Sequence, residues 1–149
     1  MRLSIVTSLY RSSAYIEAFY ERISTVAEAI TPNYEVVFVN DGSPDDSVTL
    51  AMALFEQDPE RVCVIDLSRN YGHHRALMTG LAHATGDLIY LTDVDLEEPP
   101  ELLAQFYEVY TANESADVVY GQASNRDGGL GRSVGGGLYY RLLRNLTGM

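Results

Sequence analysis

Two aspartates two positions apart, Asp93 and Asp95, close an apolar run over residues 88–92 (LIYLT). Residues i and i+2 on an extended backbone project to the same side. The two carboxylates therefore face one way and repel, unless one is protonated or a cation sits between them. A hard divalent ion, Mg²⁺ or Mn²⁺, relieves the repulsion with oxygen ligands and can also hold a diphosphate against a chain whose own charge would repel it. Glu97 adds a third carboxylate if the chain stays extended there. The bland alternative is two solvated loop acids, but the position at the end of an apolar strand favours the ion.

Two further segments carry chemistry-bearing side chains. Asn40-Asp41-Gly42-Ser43 follows the run EVVFV. Gly42 permits a tight turn and a close backbone approach, and the Asp41 carboxylate can accept a hydrogen bond from a base N–H. An ordinary turn with a helix cap explains the same residues. Ser68-Arg69-Asn70-Tyr71-Gly72-His73-His74 lies between a strand and a helix. Arg69 or Arg75 can meet a phosphate there, aided by the helix N-terminus. His73 and His74 are adjacent and do not share a helix face, so they are not a natural metal pair. His83 is given no role.

The elements that must position these residues follow from periodicity. Strands are expected at residues 3–8, 35–39, 62–67, 88–92 and 117–121, mostly as apolar runs rather than alternations. Helices are expected at 15–30, with Ile16, Phe19, Tyr20, Ile23 and Ala27 on one face, and at 46–57, 74–84 and from Pro99-Pro100 through Tyr110. Ser43 or Asp45 caps the second helix, with Pro44 in its first turn. Strand–helix alternation with apolar strands is the pattern of a parallel sheet covered on both faces. Ligands of such sheets bind at the carboxyl ends of the strands, where the three polar segments fall. No GxGxxG follows the first strand, which disfavours a dinucleotide-binding enzyme.

Charge and composition narrow the class. The 149 residues carry a net charge of -11, which argues against a nucleic-acid partner. All ten basic residues are arginines, and Arg126, Arg132, Arg141 and Arg144 fall in a tail where Asp127 is the only acid. After the Gly-rich stretch, Leu138, Tyr139, Leu142, Leu143 and Leu146 share a helical face. That tail is either a solvated or packed face, or an anion-binding and membrane-facing segment. The single cysteine, Cys63, lies in an apolar run and reads as a buried structural thiol. No span long enough to cross a bilayer and no signal peptide is visible, so the cytoplasm is expected. The division expected is residues 1–125 as one domain and 126–149 as a Gly/Arg-rich segment leading to a further, missing part.

With these segments in order, the chain resembles the family 2 glycosyltransferases. The matching stretches are SIVTSLY, VVFVNDGSPDDS, VIDLSRNYGHHRALMTGLAHATGD, LIYLTDVDLEEPPE and ADVVYGQ. Within the family it looks most like the polyprenyl- and dolichol-phosphate sugar transferase branch. The resemblance implies an α/β, GT-A fold: a Rossmann-like, mostly parallel sheet with helices on both faces. It implies a metal-dependent, inverting transfer of a sugar from a UDP- or GDP-sugar to an acceptor such as polyprenyl phosphate, at the inner face of the membrane, in cell-envelope or polysaccharide glycan synthesis. The backbone at Ser8, Leu9 and Tyr10, with Asp41, would hold the base. Asp93 would contact the ribose-diphosphate side, Asp95 would ligate Mg²⁺ or Mn²⁺, and Arg69 and Gly72 would line the diphosphate and sugar approach. Glu97 stands where the branch usually has glutamine and can assist the metal. From the charge of the tail rather than from the resemblance, Arg126, Arg132, Arg141 and Arg144 could meet a lipid phosphate or anionic headgroups. The family's Pro-x-Tyr-Asn-Glu is degraded to Ser8-Leu9-Tyr10-Arg11-Ser12, so the acid that often touches the base is missing.

Other readings stay open at this level. The acceptor can be a saccharide hydroxyl, or the chain can bind a donor without activity of its own. A phosphatase using Asp93 as nucleophile is disfavoured, because Glu97 stands where such enzymes carry Thr or Val. Oligomeric state is not readable.

Overall fold

In a computed structural model of the chain, describing residues 1–113 and 115–121, four strands alternate with four helices. They run β1 (Leu3–Leu9), α1 (Ile16–Ile30), β2 (Tyr34–Asn40), α2 (Ser47–Gln57), β3 (Val62–Asp66), α3 (His73–His83), β4 (Leu88–Leu91) and α4 (Leu102–Thr111). The strands form one all-parallel sheet in the order β3-β2-β1-β4. Val-, Ile- and Phe-rich runs suit this arrangement because β1 and β2 are covered on both faces. Residues Met1–Val119 make one compact unit. The division expected after residue 125, the apolar helix face at 138–146 and the tail arginines lie outside the described residues.

The two faces of the sheet are packed unequally. On one, Ile5, Leu9, Val36 and Phe38 meet α1, α2 and α4, and α1 buries the expected Ile16, Phe19, Ile23 and Ala27. Tyr20 packs beside them on Phe38, with ring centroids 6.3 Å apart. On the other face, among the described residues, α3 alone covers Val6, Val37 and Val39. Gly80 allows that close approach, since a Cβ there would lie 2.4 Å from Val6 Cγ1. Cys63 is half-buried on this face, and desolvation, with Glu35 adding to it, pushes its thiol pKa up, away from nucleophilic use.

Some expected boundaries move. The second helix starts at Ser47, and Asp45 holds its end by accepting the Ser47 N–H at 3.1 Å, as well as the Ser43 and Ser47 hydroxyls. Burial opposes ionisation of Asp45, but these bonds and that from the Ser13 N–H hold its carboxyl well below the usual carboxylate range. The fifth strand expected at 117–121 does not form. Val118 and Tyr120 are 77% and 81% exposed, and among the described residues the run finds no surface to cover and its backbone no ladder.

Two buried carboxylates tie the strands to their loops. Glu35 on β2 accepts the Ser4 hydroxyl at 2.5 Å, the Thr85 N–H and hydroxyl at 2.7 and 2.8 Å, and the Arg2 guanidinium at 3.0 Å. It joins β1, β2 and the α3–β4 loop at the amino end of the sheet. Asp41, just past β2 and 1% exposed, does the same at the carboxyl end. Its Oδ1 accepts the Tyr71 N–H at 2.7 Å and its Oδ2 the Gly72 N–H at 3.0 Å. Gly42 lets the two loops touch: its φ is +59°, and a Cβ would stand 2.4 Å from Arg69 C and 2.5 Å from Asn70 N.

Gly42→Ala is therefore expected to lower unfolding free energy by at least about 2 kcal/mol, from left-handed strain plus backbone overlap. Denaturant titration checks this. Burial alone would raise the Glu35 pKa, but its hydrogen bonds and Arg2 win, and the net shift is downward from the ordinary 4.5. A lowered folded pKa contributes stability that is complete above the unfolded value and lost as pH falls through the folded one. Glu35→Gln should cost about 1–3 kcal/mol at pH 7. Thermal melts should show the gap to wild type narrowing as the pH falls below 4.5.

Candidate functional site

Parallel register brings the carboxyl ends of the strands to one level. Leu9 pairs with Asn40, and the ladder runs one step further, with the Asp41 N–H donating to the Leu9 carbonyl at 2.9 Å. Val6 pairs with Leu91, and the Thr92 N–H donates to the Val6 carbonyl at 3.2 Å. Two residues on, Ser8 and Asp93 both come within reach of His73 at the start of α3. Asp41's grip on Tyr71 and Gly72 adds the β3–α3 loop. The result is an open cleft of about 390 Å³ lined by Ser8, Tyr10 to Ser12, Tyr15, Asp41, Asn70, Gly72, His73 and Asp93 to Asp95.

Of the residues singled out from sequence, Ser8, Tyr10, Asp41, Gly72, Asp93 and Asp95 meet in this cleft. Leu9 is fully buried, and its carbonyl is already taken by the Asp41 N–H. Arg69 does not line the cleft; its guanidinium lies 4.7 Å over the Tyr71 ring. Glu97 does not line it either. The chain leaves the extended conformation after β4: Leu96 has φ +62°, and the Asp95 Oδ1 accepts the Glu97 N–H at 3.0 Å. The condition that would have placed three carboxylates on one side is not met. Among the described residues no three His, Cys, Asp or Glu side chains are grouped to hold a metal. Arg126 and Arg132 lie outside the described residues.

Asp93 and Asp95 both face the cleft, with Val94 buried between them. One or two carboxylates at an open site suit an ion that draws its other ligands from water and a substrate's phosphates, as Mg²⁺ characteristically does. The donor set thus fits Mg²⁺ or Mn²⁺ shared with a diphosphate, and does not fit an all-protein cage.

The site residues read from sequence leave out Arg11, Ser12 and Tyr15, and the polar segment that holds Asn70 and His73 was named without a role for either. Arg11 has a left-handed φ of +55°, its N–H donates to the Ser43 hydroxyl at 2.7 Å, and its guanidinium sits 5.7 Å from the Tyr10 ring centroid. Ser12 accepts the Tyr10 N–H. A rule treating everything between a strand end and the next helix as lining would have included Arg11, Ser12, Tyr15 and Asn70. His73 is the first residue of α3, and its part depends on where that helix lands.

Comparison with known proteins follows the same outline. The model of glycosyl transferase family 2 matches residues 4–146. A Mycobacterium tuberculosis protein named as a glycosyltransferase is 53% identical over 95% of this chain and 41% of its own length. The undecaprenyl-phosphate 4-deoxy-4-formamido-L-arabinose transferase of Klebsiella pneumoniae is 33% identical over 99% of this chain and 44% of its own. The chain thus spans less than half the length of the curated relatives it matches. Among solved structures, the mannosyltransferase of Pyrobaculum calidifontis, in complex with GDP-Man and Mn²⁺, superposes with a TM-score of 0.62 at 26% identity, covering 72% of this chain and 31% of that one. Staphylococcus aureus TarS in complex with UDP-GlcNAc gives 0.53 at 26% identity, over 74% and 32%. The α/β, GT-A expectation agrees with these neighbours and with the parallel sheet. The chain belongs to glycosyl transferase family 2.

Proposed function

We propose that the cleft is the donor site of a metal-dependent, inverting glycosyltransferase that moves a sugar from a UDP- or GDP-sugar to polyprenyl phosphate at the inner face of a membrane. The observation that carries this is the meeting of Asp93 and Asp95 with Ser8, Tyr10, Asp41 and Gly72 at the carboxyl ends of three parallel strands. The relatives support it in kind: GDP-Man with Mn²⁺ in one neighbour, UDP-GlcNAc in another, and an undecaprenyl-phosphate sugar transferase in sequence.

In this reading Ser8, Tyr10 and Asp41 form the base end. Asp41 acts there with the lone pairs left over from its two backbone bonds. Asp93 faces the ribose-diphosphate side, and Asp95 is the protein ligand of Mg²⁺ or Mn²⁺. When bound, that ion neutralises the charge developing on the departing diphosphate. Gly72, held by Asp41, brings backbone to the phosphates. Arg69 would reach them only by leaving the Tyr71 ring, and Glu97 would join the ion only if the turn at Leu96 opened. Residues 1–125 form the donor-binding part, and Arg126 and Arg132 in the 126–149 segment meet the acceptor's phosphate.

Transfer forms a bond from an acceptor oxygen to the anomeric carbon. The bond from that carbon to the diphosphate breaks, and its electron pair leaves with the nucleoside diphosphate. A phosphate acceptor is already anionic and needs no general base, whereas a hydroxyl acceptor does.

Titration calorimetry with UDP, GDP and their sugars tests the donor site. Binding of one base series is expected, strengthened by Mn²⁺, and Asp95→Ala should weaken the Mn²⁺-dependent form tenfold or more, about 1.4 kcal/mol. Absence of binding by every nucleotide overturns the donor reading; binding indifferent to EDTA and to Asp95→Ala overturns the metal role. For the acceptor, the complete protein should glycosylate polyprenyl phosphate. Turnover on a saccharide hydroxyl with none on the lipid would exclude it.

A further inference from the structure

His73 occupies a place in the cleft that its sequence neighbours do not explain. It opens α3, and its ring lines the cleft between Ser8 of β1 and Asp93 just past β4. Nδ1 is 2.9 Å from the Ser8 hydroxyl, and Nε2 is 3.7 Å from Asp93 Oδ1. His74 packs edge-on against the ring at 5.3 Å. One imidazole thus spans the ends of two strands.

The contacts distinguish the two neutral tautomers. With the proton on Nδ1, the bare Nε2 lone pair would face a carboxylate, which is repulsive. With the proton on Nε2, the N–H points toward Asp93 and the Ser8 hydroxyl donates to Nδ1. Serine on a sheet strand and a ring on the first turn of a packed helix hold that orientation before any ligand arrives.

The Nε2–Asp93 separation is too long for a direct hydrogen bond. Both groups are about half exposed, with side-chain accessibilities of 46% and 59%. They stand as an open donor and an open acceptor side by side. A phosphate oxygen between them would accept from Nε2–H but confront the Asp93 anion. A hydroxyl satisfies both, accepting from Nε2–H and donating to Oδ1.

We infer that His73 and Asp93 form a hydroxyl-binding pair, held ready by Ser8, that grips a ribose or sugar hydroxyl of the donor. This rests on the donor-site reading and adds a residue and a recognised group to it. His73 is then a binding residue, and Ser8 a positioning residue acting through it.

Calorimetry on the 149-residue chain tests the pair, using UDP, GDP, their 2′-deoxy and 3′-deoxy forms and the corresponding nucleotide sugars, with Mn²⁺ present. His73→Ala should weaken the hydroxyl-bearing ligand roughly tenfold. His73→Gln, which can place an N–H near the Nε2 position, should recover most of that. Ser8→Ala should lose a smaller part, and thermal melts of each variant separate binding losses from unfolding. If the hydroxyl belongs to the ribose, the His73→Ala penalty vanishes with one deoxynucleotide. If it belongs to the sugar, the penalty is absent with the nucleoside diphosphates and present with the nucleotide sugar. Unchanged affinity of His73→Ala for every ligand overturns the inference, as does an equal loss for all of them, deoxy and sugar-free forms included. Failure of the wild-type chain to bind any nucleotide is a different result: it removes the donor site, and the hydroxyl pair with it.

Discussion

A buried carboxylate at the carboxyl end of β2 is the constraint on which the cleft depends. Asp41 is nearly inaccessible, and two backbone N–H groups from another loop satisfy its carboxyl oxygens, as a buried polar group requires. The same bonds decide where the β3–α3 loop goes, and hence where α3 begins. Gly42 beside it removes the side chain that would keep the two loops apart. Without this contact, β1, β2 and β4 would still end at one level and α3 would still pack on the sheet, but the loop carrying Tyr71 and Gly72 would lose its tie to the end of β2.

Glu35 plays a matching part at the opposite end of the sheet. Its four hydrogen bonds fasten β1, β2 and the residues that lead into β4. Asp41 satisfies loop backbone beside the cleft, whereas Glu35 is mostly occupied by side chains and an arginine, away from it. The chemistry-bearing end is thus held by backbone geometry that few substitutions disturb directly.

Much of this was legible in the residues. Apolar strands and the 3.6-residue spacing of Ile16, Phe19, Ile23 and Ala27 identify a covered parallel sheet, because burial on two faces leaves a run and burial on one side of a helix leaves a period. Asp93 and Asp95 were legible as cleft acids from their place after β4. Glu97 was not, because only an extended chain would bring it beside Asp95, and Leu96 turns left-handed instead. Residues 117–121 looked like a strand by their short apolar run alone, and such a run carries no information about whether a pairing edge is within reach. Arg69 was given to the phosphates by charge, while the aromatic ring two residues on draws it aside. The bridge made by His73 is long-range in sequence, and no local pattern encodes it.

The register of β1 against its neighbours has a consequence for how such a sequence can change over time. Leu9 opposite Asn40 and Val6 opposite Leu91 determine the heights of Asp41 and Asp93. A slip of one residue would move each by about 3.3 Å and turn it to the other face of the sheet. Substitutions on the solvent sides of the helices leave those heights alone, but an insertion or deletion inside β1, β2 or β4 does not. The chain can therefore drift widely in composition while its strand lengths stay frozen.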